Sequence, residues 1–257
     1  MQKIKYGFLI ILVLFSFYFT NQTAVLVRSK DPVMQSIKNY SLNNNTNPVN
    51  AIIKDNYIIP GMYGKRINEV KSLMNMKASG VFNSIFLVTD NIKPDISLKD
   101  HKDKIIQSGN IKKQAVSFIF ENDETNTLTY FISAAIPADL LVNKSSVNQN
   151  PYFEQINNDF NNFQQVETAL NKSKCNVHLC LIGRHNQELC QKNNQFLFEP
   201  SLILNEANLI NIKKNITSGS IILVKASVSI DDLSLLVSYL KSKNLNIITL
   251  SKLISEN

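Results

Sequence analysis

Three cysteines and two of the three histidines crowd into one stretch: Cys175, His178, Cys180, His185 and Cys190, in the order C-x2-H-x-C-x4-H-x4-C. Thiolates and imidazoles are good zinc ligands, but structural zinc sites pair them at characteristic short spacings, and this order matches no such module. In NVHLCLI the alternation of a strand puts Val177, Leu179 and Leu181 on one face. His178 and Cys180 fall on the other, and Cys175 on the first. Cys180 with His178 or His185 could serve as a thiol-imidazole nucleophile. The simpler chemistry is a disulfide from the strand end (Cys180) to the helix that should follow (Cys190), which an exported chain permits. His101 lies in a charged stretch, KPDISLKDHKDKIIQSGN, and reads as a solvated side chain. No G-x-G-x-x-G, P-loop, H-E-x-x-H or G-x-S-x-G occurs, which removes the common nucleotide-binding, zinc-peptidase and serine-hydrolase signatures.

Composition bounds the rest. The chain has 257 residues, 44% apolar and 18% charged, which is too apolar for a mainly disordered protein and long enough for one or two cored domains. Its net charge is +7, but only Arg28, Arg66 and Arg184 are arginine. A lysine-rich surface explains the excess better than nucleic-acid binding does, because no arginine cluster offers bidentate phosphate contacts. Lys3 and Lys5 precede the unbroken run YGFLIILVLFSFYF. A polar patch, TNQT, follows, and then AVLV. A positive flank before an apolar run marks a secretion signal or signal anchor. No A-x-A-like cleavage site follows, so an uncleaved anchor over 1–27 is expected. It would span the cell membrane once and leave the bulk of the chain extracellular.

Residues 28–49, with SLNNNTNP, read as a polar linker. From 50 to 112 a small α+β domain is expected. It has two short strands around Pro60-Gly61 and a helix capped by Asn68, with Val70, Leu73 and Met74 on one face. Gly80 closes the helix, and Ser84 to Thr89 is a strand candidate. From 113 onward strands and helices alternate. AVSFIFE, TLTYFIS, NVHLCLI, QFLFE, GSIILV and NIITL read as strands. IPADLLVN, HNQELCQKN and Ile230 to about Lys243 read as helices, and Tyr152 to Leu170 as helical or mixed. The βα alternation predicts a mostly parallel sheet with helices outside, open or curled into a barrel.

The C-terminal string SGSIILVKASVSIDDLSLLVSYLKSKNLNIITLSKL resembles the last βα unit of the polysaccharide deacetylase (NodB-homology, carbohydrate esterase) family. There a G-S-I-I-L-L-H strand precedes a helix of the type L-x-x-I-x-x-L-K-x-K-G-Y and an F-V-T-L-S-E-L strand-helix. AVSFIFEND is similar to the family's first strand, A-L-T-F-D-D-G, and TLTYFIS to its second, A-T-F-F-I. The block YIIPGMYGKRINEVKSLMNMKASGVFN resembles the N-terminal extension of membrane-anchored Firmicute members. The resemblance covers about residues 50–257. It implies an α/β fold of deacetylase type, an abridged or distorted (β/α) barrel, since residues 113–257 are fewer than the ~250 of a full barrel.

The resemblance also implies a divalent metal held by an Asp-His-His triad, an Asp base after the first strand and a His acid on the last. At those positions this chain has Glu121 and Asn122, with Asp123 one residue late, and Lys225 on the last strand. A neutral amide is a weaker metal ligand than a carboxylate. Lysine, ordinarily titrating near ~10.4, is a poor proton shuttle at neutral pH. No histidine stands between His101 and His178, so the paired ligands after the second strand are missing. The expected function is therefore a membrane-anchored, catalytically degenerate deacetylase-like protein acting at cell-surface glycan, without a metal or other cofactor. Tyr130, Phe131, Tyr152 and Phe153 are candidates for stacking on sugars. The competing readings are an active carbohydrate N-deacetylase with an atypical site and a divalent metal such as zinc, and a purely structural partner in a membrane complex.

Overall fold

The computed structural model describes residues 2–121, 126–142, 153–157, 179–182, 187–192 and 194–257. The chain opens with helices α1 (Gln2–Lys30) and α2 (Pro32–Asn44) and a hairpin, β1 (Ile52–Lys54) and β2 (Tyr57–Ile59). Strand β3 (Gly64–Ile67), helix α3 (Glu69–Met76), and strands β4 (Thr89–Ile92), β5 (Ile105–Ile106) and β6 (Ala115–Phe120) follow. Next come α4 (Asn126–Ser133), β7 (Ala138–Val142), β8 (Phe153–Asn157), β9 (Leu179–Leu181), α5 (Gln187–Lys192) and β10 (Phe196–Phe198). The chain ends with β11 (Leu202–Leu204), α6 (Leu209–Asn215), β12 (Ile221–Val224), α7 (Ile230–Ser242), β13 (Asn246–Ile247) and α8 (Leu250–Ile254). Two compact units divide it: Met1–Pro48 with Gly64–Ile92, and Val49–Tyr63 with Lys93–Asn257.

In the first unit, residues expected to form a polar linker instead build α2. Asp31 caps it by accepting the N–H of Val33 at 2.8 Å, and Pro32 occupies the first turn, where its missing N–H costs nothing. Val33, Met34 and Ile37 then fall on one face and pack with Ile67 and Met76. The Asp-Pro start and that spacing were the signal; the asparagine-rich end masked it. Asn68 caps α3 by accepting the N–H of Lys71 at 3.0 Å, and Gly80 has φ +63°. The buried face of α3 is Ser72 and Met76, however, and Val70 and Met74 are exposed. The strand expected over Ser84 to Thr89 is a 3-10 turn at Ser84–Phe86, with β4 starting at Thr89. Along α1, Leu12 to Phe15 and Phe17 to Phe19 are all exposed. Among the described residues no helix is long and apolar enough to cross a membrane.

The second unit is α/β. Strand β6 is its axis, flanked by β12 and β7 in a parallel sheet of order β11-β12-β6-β7-β8, with β13 parallel to the start of β6. A second sheet runs β1-β2-β5-β10-β9, parallel except for the β1-β2 hairpin. The hairpin thus joins this unit through β5, and residues 50–112, expected as one small domain, are divided between the two units. All six residues of β6 are buried. Val116, Phe118 and Phe120 face the helices and pack with Leu128, Phe131, Leu233, Leu236, Val237 and Leu240. Ala115 and Ile119 face the other way, into a core shared with Ile58, Ile106, Leu179, Phe198, Ile221, Leu223 and α8. Among the described residues no ladder joins the two sheets into a closed barrel.

Two expected elements exchange types. TLTYFIS is in helix α4: Thr127, Leu128 and Phe131 are buried at helical spacing, whereas Ile132, which alternation would have buried beside Leu128, is exposed. IPADLLVN holds strand β7, where Ala138, Asp139, Leu140 and Leu141 are all buried. Consecutive burial is the mark of a strand covered on both faces, and a short apolar run does not distinguish it from a helix. Ser229 caps α7, with its hydroxyl accepting the N–H of Asp232 at 3.1 Å and Leu233, Leu236, Val237 and Leu240 buried. Asn244 takes the left-handed conformation that ends the helix (φ +56°).

A disulfide joins Cys180 on β9 to Cys190 on α5, ten residues apart in sequence. Both are buried with Leu197. Constraint of so short a loop in the unfolded chain is worth about 2–3 kcal/mol. Reduction of the purified protein should lower its unfolding free energy in urea by that amount; an unchanged transition would contradict the crosslink. A second check concerns the turn before β12. Gly219 has φ +91°, and a Cβ there would stand 2.3 Å from the carbonyl oxygen of Gly109. Gly219→Ala should cost at least about 2 kcal/mol; a loss under about 0.5 kcal/mol would show that the turn is freer than its geometry.

Candidate functional site

Parallel α/β sheets gather their chemistry at the carboxyl ends of the strands. Here β6 and β12 are neighbours with Phe120 opposite Val224, and the residues that follow them are Glu121 and Lys225. The ladder continues one step beyond the strands. Glu121 N–H donates to the Val224 carbonyl at 3.3 Å, and Lys225 N–H to that of Leu204 at 3.0 Å. This holds both residues in the pleat. Two residues on from Ile119 and Leu223, they continue the inner face of the sheet. Lys225 Nζ donates to Glu121 Oε1 at 2.7 Å, with the two side chains 38% and 25% exposed. The structure thus brings together two of the residues singled out from sequence, the position of the base and that of the acid.

An ammonium at hydrogen-bonding distance changes what this carboxylate can do. One oxygen already holds a donor, and the lysine charge repels a second cation by about 1–4 kcal/mol at such range, depending on the local dielectric. A divalent metal, which the family resemblance implies, needs several converging anionic or imidazole donors. Among the described residues no three His, Cys, Asp or Glu side chains converge. Among the described residues the donor set at these strand ends, one carboxylate bound to a lysine, does not fit the ion. His101 ends the 3-10 turn Leu98–Asp100, away from the strand ends in sequence and in element. Asn122, Asp123, Tyr152, Cys175, His178 and His185 lie outside the described residues.

Two of the aromatic candidates, Phe131 and Phe153, are core residues. Phe131 is fully buried, its ring edge-on to Phe118 and Phe120 with centroids 5.3 and 5.0 Å away. Phe153 is buried in the same cluster, and Tyr130 packs against it, half-buried. Stacking on sugar requires a free ring face, which Phe131 and Phe153 lack.

A second polar cluster was missed. Asp139 on β7 is fully buried on the inner face of the sheet; its Oδ2 accepts the Ser117 hydroxyl and the Leu250 N–H, each at 2.7 Å. Its register partner on β8 is Glu154, which accepts the N–H of Ser251 at 3.3 Å and the Ser251 hydroxyl. Burial, and then the Glu154 charge, push the Asp139 carboxyl well above the usual carboxylate range against the pull of its two donors. A lone acid inside the apolar run ADLLV was the available signal.

No family model matches the chain. Over 98 residues, 38% of its length, it is 31% identical to an uncharacterized protein, YlxY, of Bacillus subtilis (strain 168), and the match spans only 31% of that protein. Among solved structures, a wild-type CE4 family pseudoenzyme from Bacillus anthracis superposes with a TM-score of 0.60 at 16% identity, covering 88% of this chain and 96% of that one. A mutant of a CE4 family pseudoenzyme with restored enzymatic activity gives a TM-score of 0.57 at 16% identity over 87% and 98% of the two chains. The chain therefore has an α/β fold with a parallel sheet, built like that of these CE4 structures.

Proposed function

We propose that this chain is a catalytically degenerate, deacetylase-like protein of the cell surface, which binds or organises glycan without hydrolysing its acetamido groups. One observation carries the reading: Lys225 holds Glu121 at 2.7 Å where the resemblance places an acid and a base around a metal. An acetamide is a poor electrophile. Its hydrolysis needs a polarised carbonyl and an activated water, and an ammonium-bound carboxylate supplies neither well. The fold shared with a CE4 pseudoenzyme supports the same reading. An extracellular, membrane-anchored location is part of the proposal. It is supported by Lys3 and Lys5 ahead of the apolar run and by the Cys180–Cys190 disulfide, which belongs in an oxidising compartment.

The purified full chain, incubated with N-acetylglucosamine oligomers and added zinc, cobalt or nickel, should release no acetate above the blank. It should retain no stoichiometric metal after desalting, and it should sediment with insoluble cell-wall glycan. Acetate release abolished both by a chelator and by Glu121→Gln would overturn the degenerate reading. Failure to sediment would remove the glycan and leave a structural partner protein.

A further inference from the structure

The C-terminal helix α8 is held at both ends by titratable side chains from other elements. At its start, Asp139 accepts the Leu250 N–H, while Glu154 accepts the N–H and hydroxyl of Ser251. At its end, Lys113 Nζ donates to the Lys252 carbonyl at 2.6 Å, to the Ser255 carbonyl, and to the Ser255 hydroxyl at 3.0 Å. Between these clamps Leu250, Leu253 and Ile254 complete the inner core. Asp139 and Glu154 are register partners on adjacent strands, and Asp139 is fully closed to water. Two ionised carboxylates so placed repel strongly in a low dielectric. The bonding of Asp139 is lopsided: Oδ2 takes both of its donors, and among the described residues no donor reaches Oδ1, so a proton on Asp139 sits on Oδ1, toward Glu154.

We infer that Asp139 and Glu154 form a one-proton latch: with the proton in place α8 stays docked across the inner face of the sheet, and its loss releases the helix. Among the described residues, the charged group facing Asp139 is Glu154 from β8. Strand β6 presents Ser117, and α8 presents the Leu250 N–H with Ser251 next to it. Among the described residues the other titratable side chain from outside α8 that bonds to it is Lys113, which burial lowers to about 8 against the pull of Glu256.

The sign of the pH effect follows from linkage. Undocking exposes Asp139 to water, where a carboxyl loses its proton near ~3.9. In the folded protein it keeps that proton to higher pH. Docking strength is therefore full below the ordinary carboxyl range and falls as pH rises toward the folded value, with one proton released per opening. Lys113 acts in the opposite sense, since opening restores its ordinary affinity for a proton, but only above about pH 8. Below that it is charged in both states and adds no slope.

Hydrogen exchange of the full chain, read by mass spectrometry and corrected for intrinsic rates, tests the latch between about pH 5 and about pH 7. Protection of residues 250–254 should fall as pH rises, by at most about tenfold per pH unit. It should also be lower than that of Ile221–Val224, because the helix opens without the sheet. Asp139→Asn, which keeps the shape and cannot ionise, should abolish the slope. Glu154→Gln should keep it, because Asp139 still loses the proton. A flat profile in the wild-type chain, an unchanged slope in Asp139→Asn, or protection of α8 equal to that of β12 would each overturn the inference. Should Asp139→Asn fail to fold, loss of the slope in Glu154→Gln would overturn it by placing the proton on Glu154.

Discussion

Strand β6 is the constraint from which the second unit follows. It is hydrogen-bonded to β12 on one side and β7 on the other, and buried at every position. A strand in that position must satisfy two cores at once. Its even residues fill the layer under the helices, and its odd residues fill the space between the sheets. Shifting it by one residue would exchange Phe118 and Phe120 with Ser117 and Ile119 and empty both layers. Because its register is fixed, so is the direction of the residue that follows it. Glu121 continues the inner face and meets Lys225 from the strand alongside.

The inner face carries polar groups at two levels, and at each a carboxylate is bonded to a side chain of a neighbouring strand. At the carboxyl ends of the strands a carboxylate meets an ammonium; deeper in, two carboxyls accept hydrogen bonds from Ser117 and from the start of α8. Neither level leaves a cluster of anionic donors aimed at a common point among the described residues. The hydrophobic layers contribute about 2–3 kcal/mol per buried Phe or Leu whichever residue stands at position 121.

Much of this was legible in the chain. The apolar runs AVSFIF and IILV announced buried strands. Ser229 followed by the 3.6-residue spacing of Leu233, Leu236, Val237 and Leu240 announced α7 with its cap. What failed was type assignment of short apolar segments. TLTYFIS is rich in residues that favour strands, yet it forms a helix because its buried residues recur at one and four positions. ADLLV resembles the start of a helix, yet it forms a strand because both faces are covered. Helix α2 was hidden by asparagines at its exposed end. At the candidate site, positions 121 and 225 were legible because they end recognisable strands. Their bond to each other was not, since it depends on adjacency of β6 and β12, more than a hundred residues apart. The pairing of β7 with β8 likewise hid Glu154 beside Asp139.

At the strand ends Glu121 and Lys225 are bound to each other. A double-mutant cycle of Glu121→Gln and Lys225→Met, followed by urea unfolding, measures that bond with the background cancelled. For a half-exposed pair at 2.7 Å the coupling should be about 0.5–1 kcal/mol in low salt and shrink as salt is added. A coupling indistinguishable from zero at low salt would mean that the carboxylate is available to other partners, and the account of a closed site would fall.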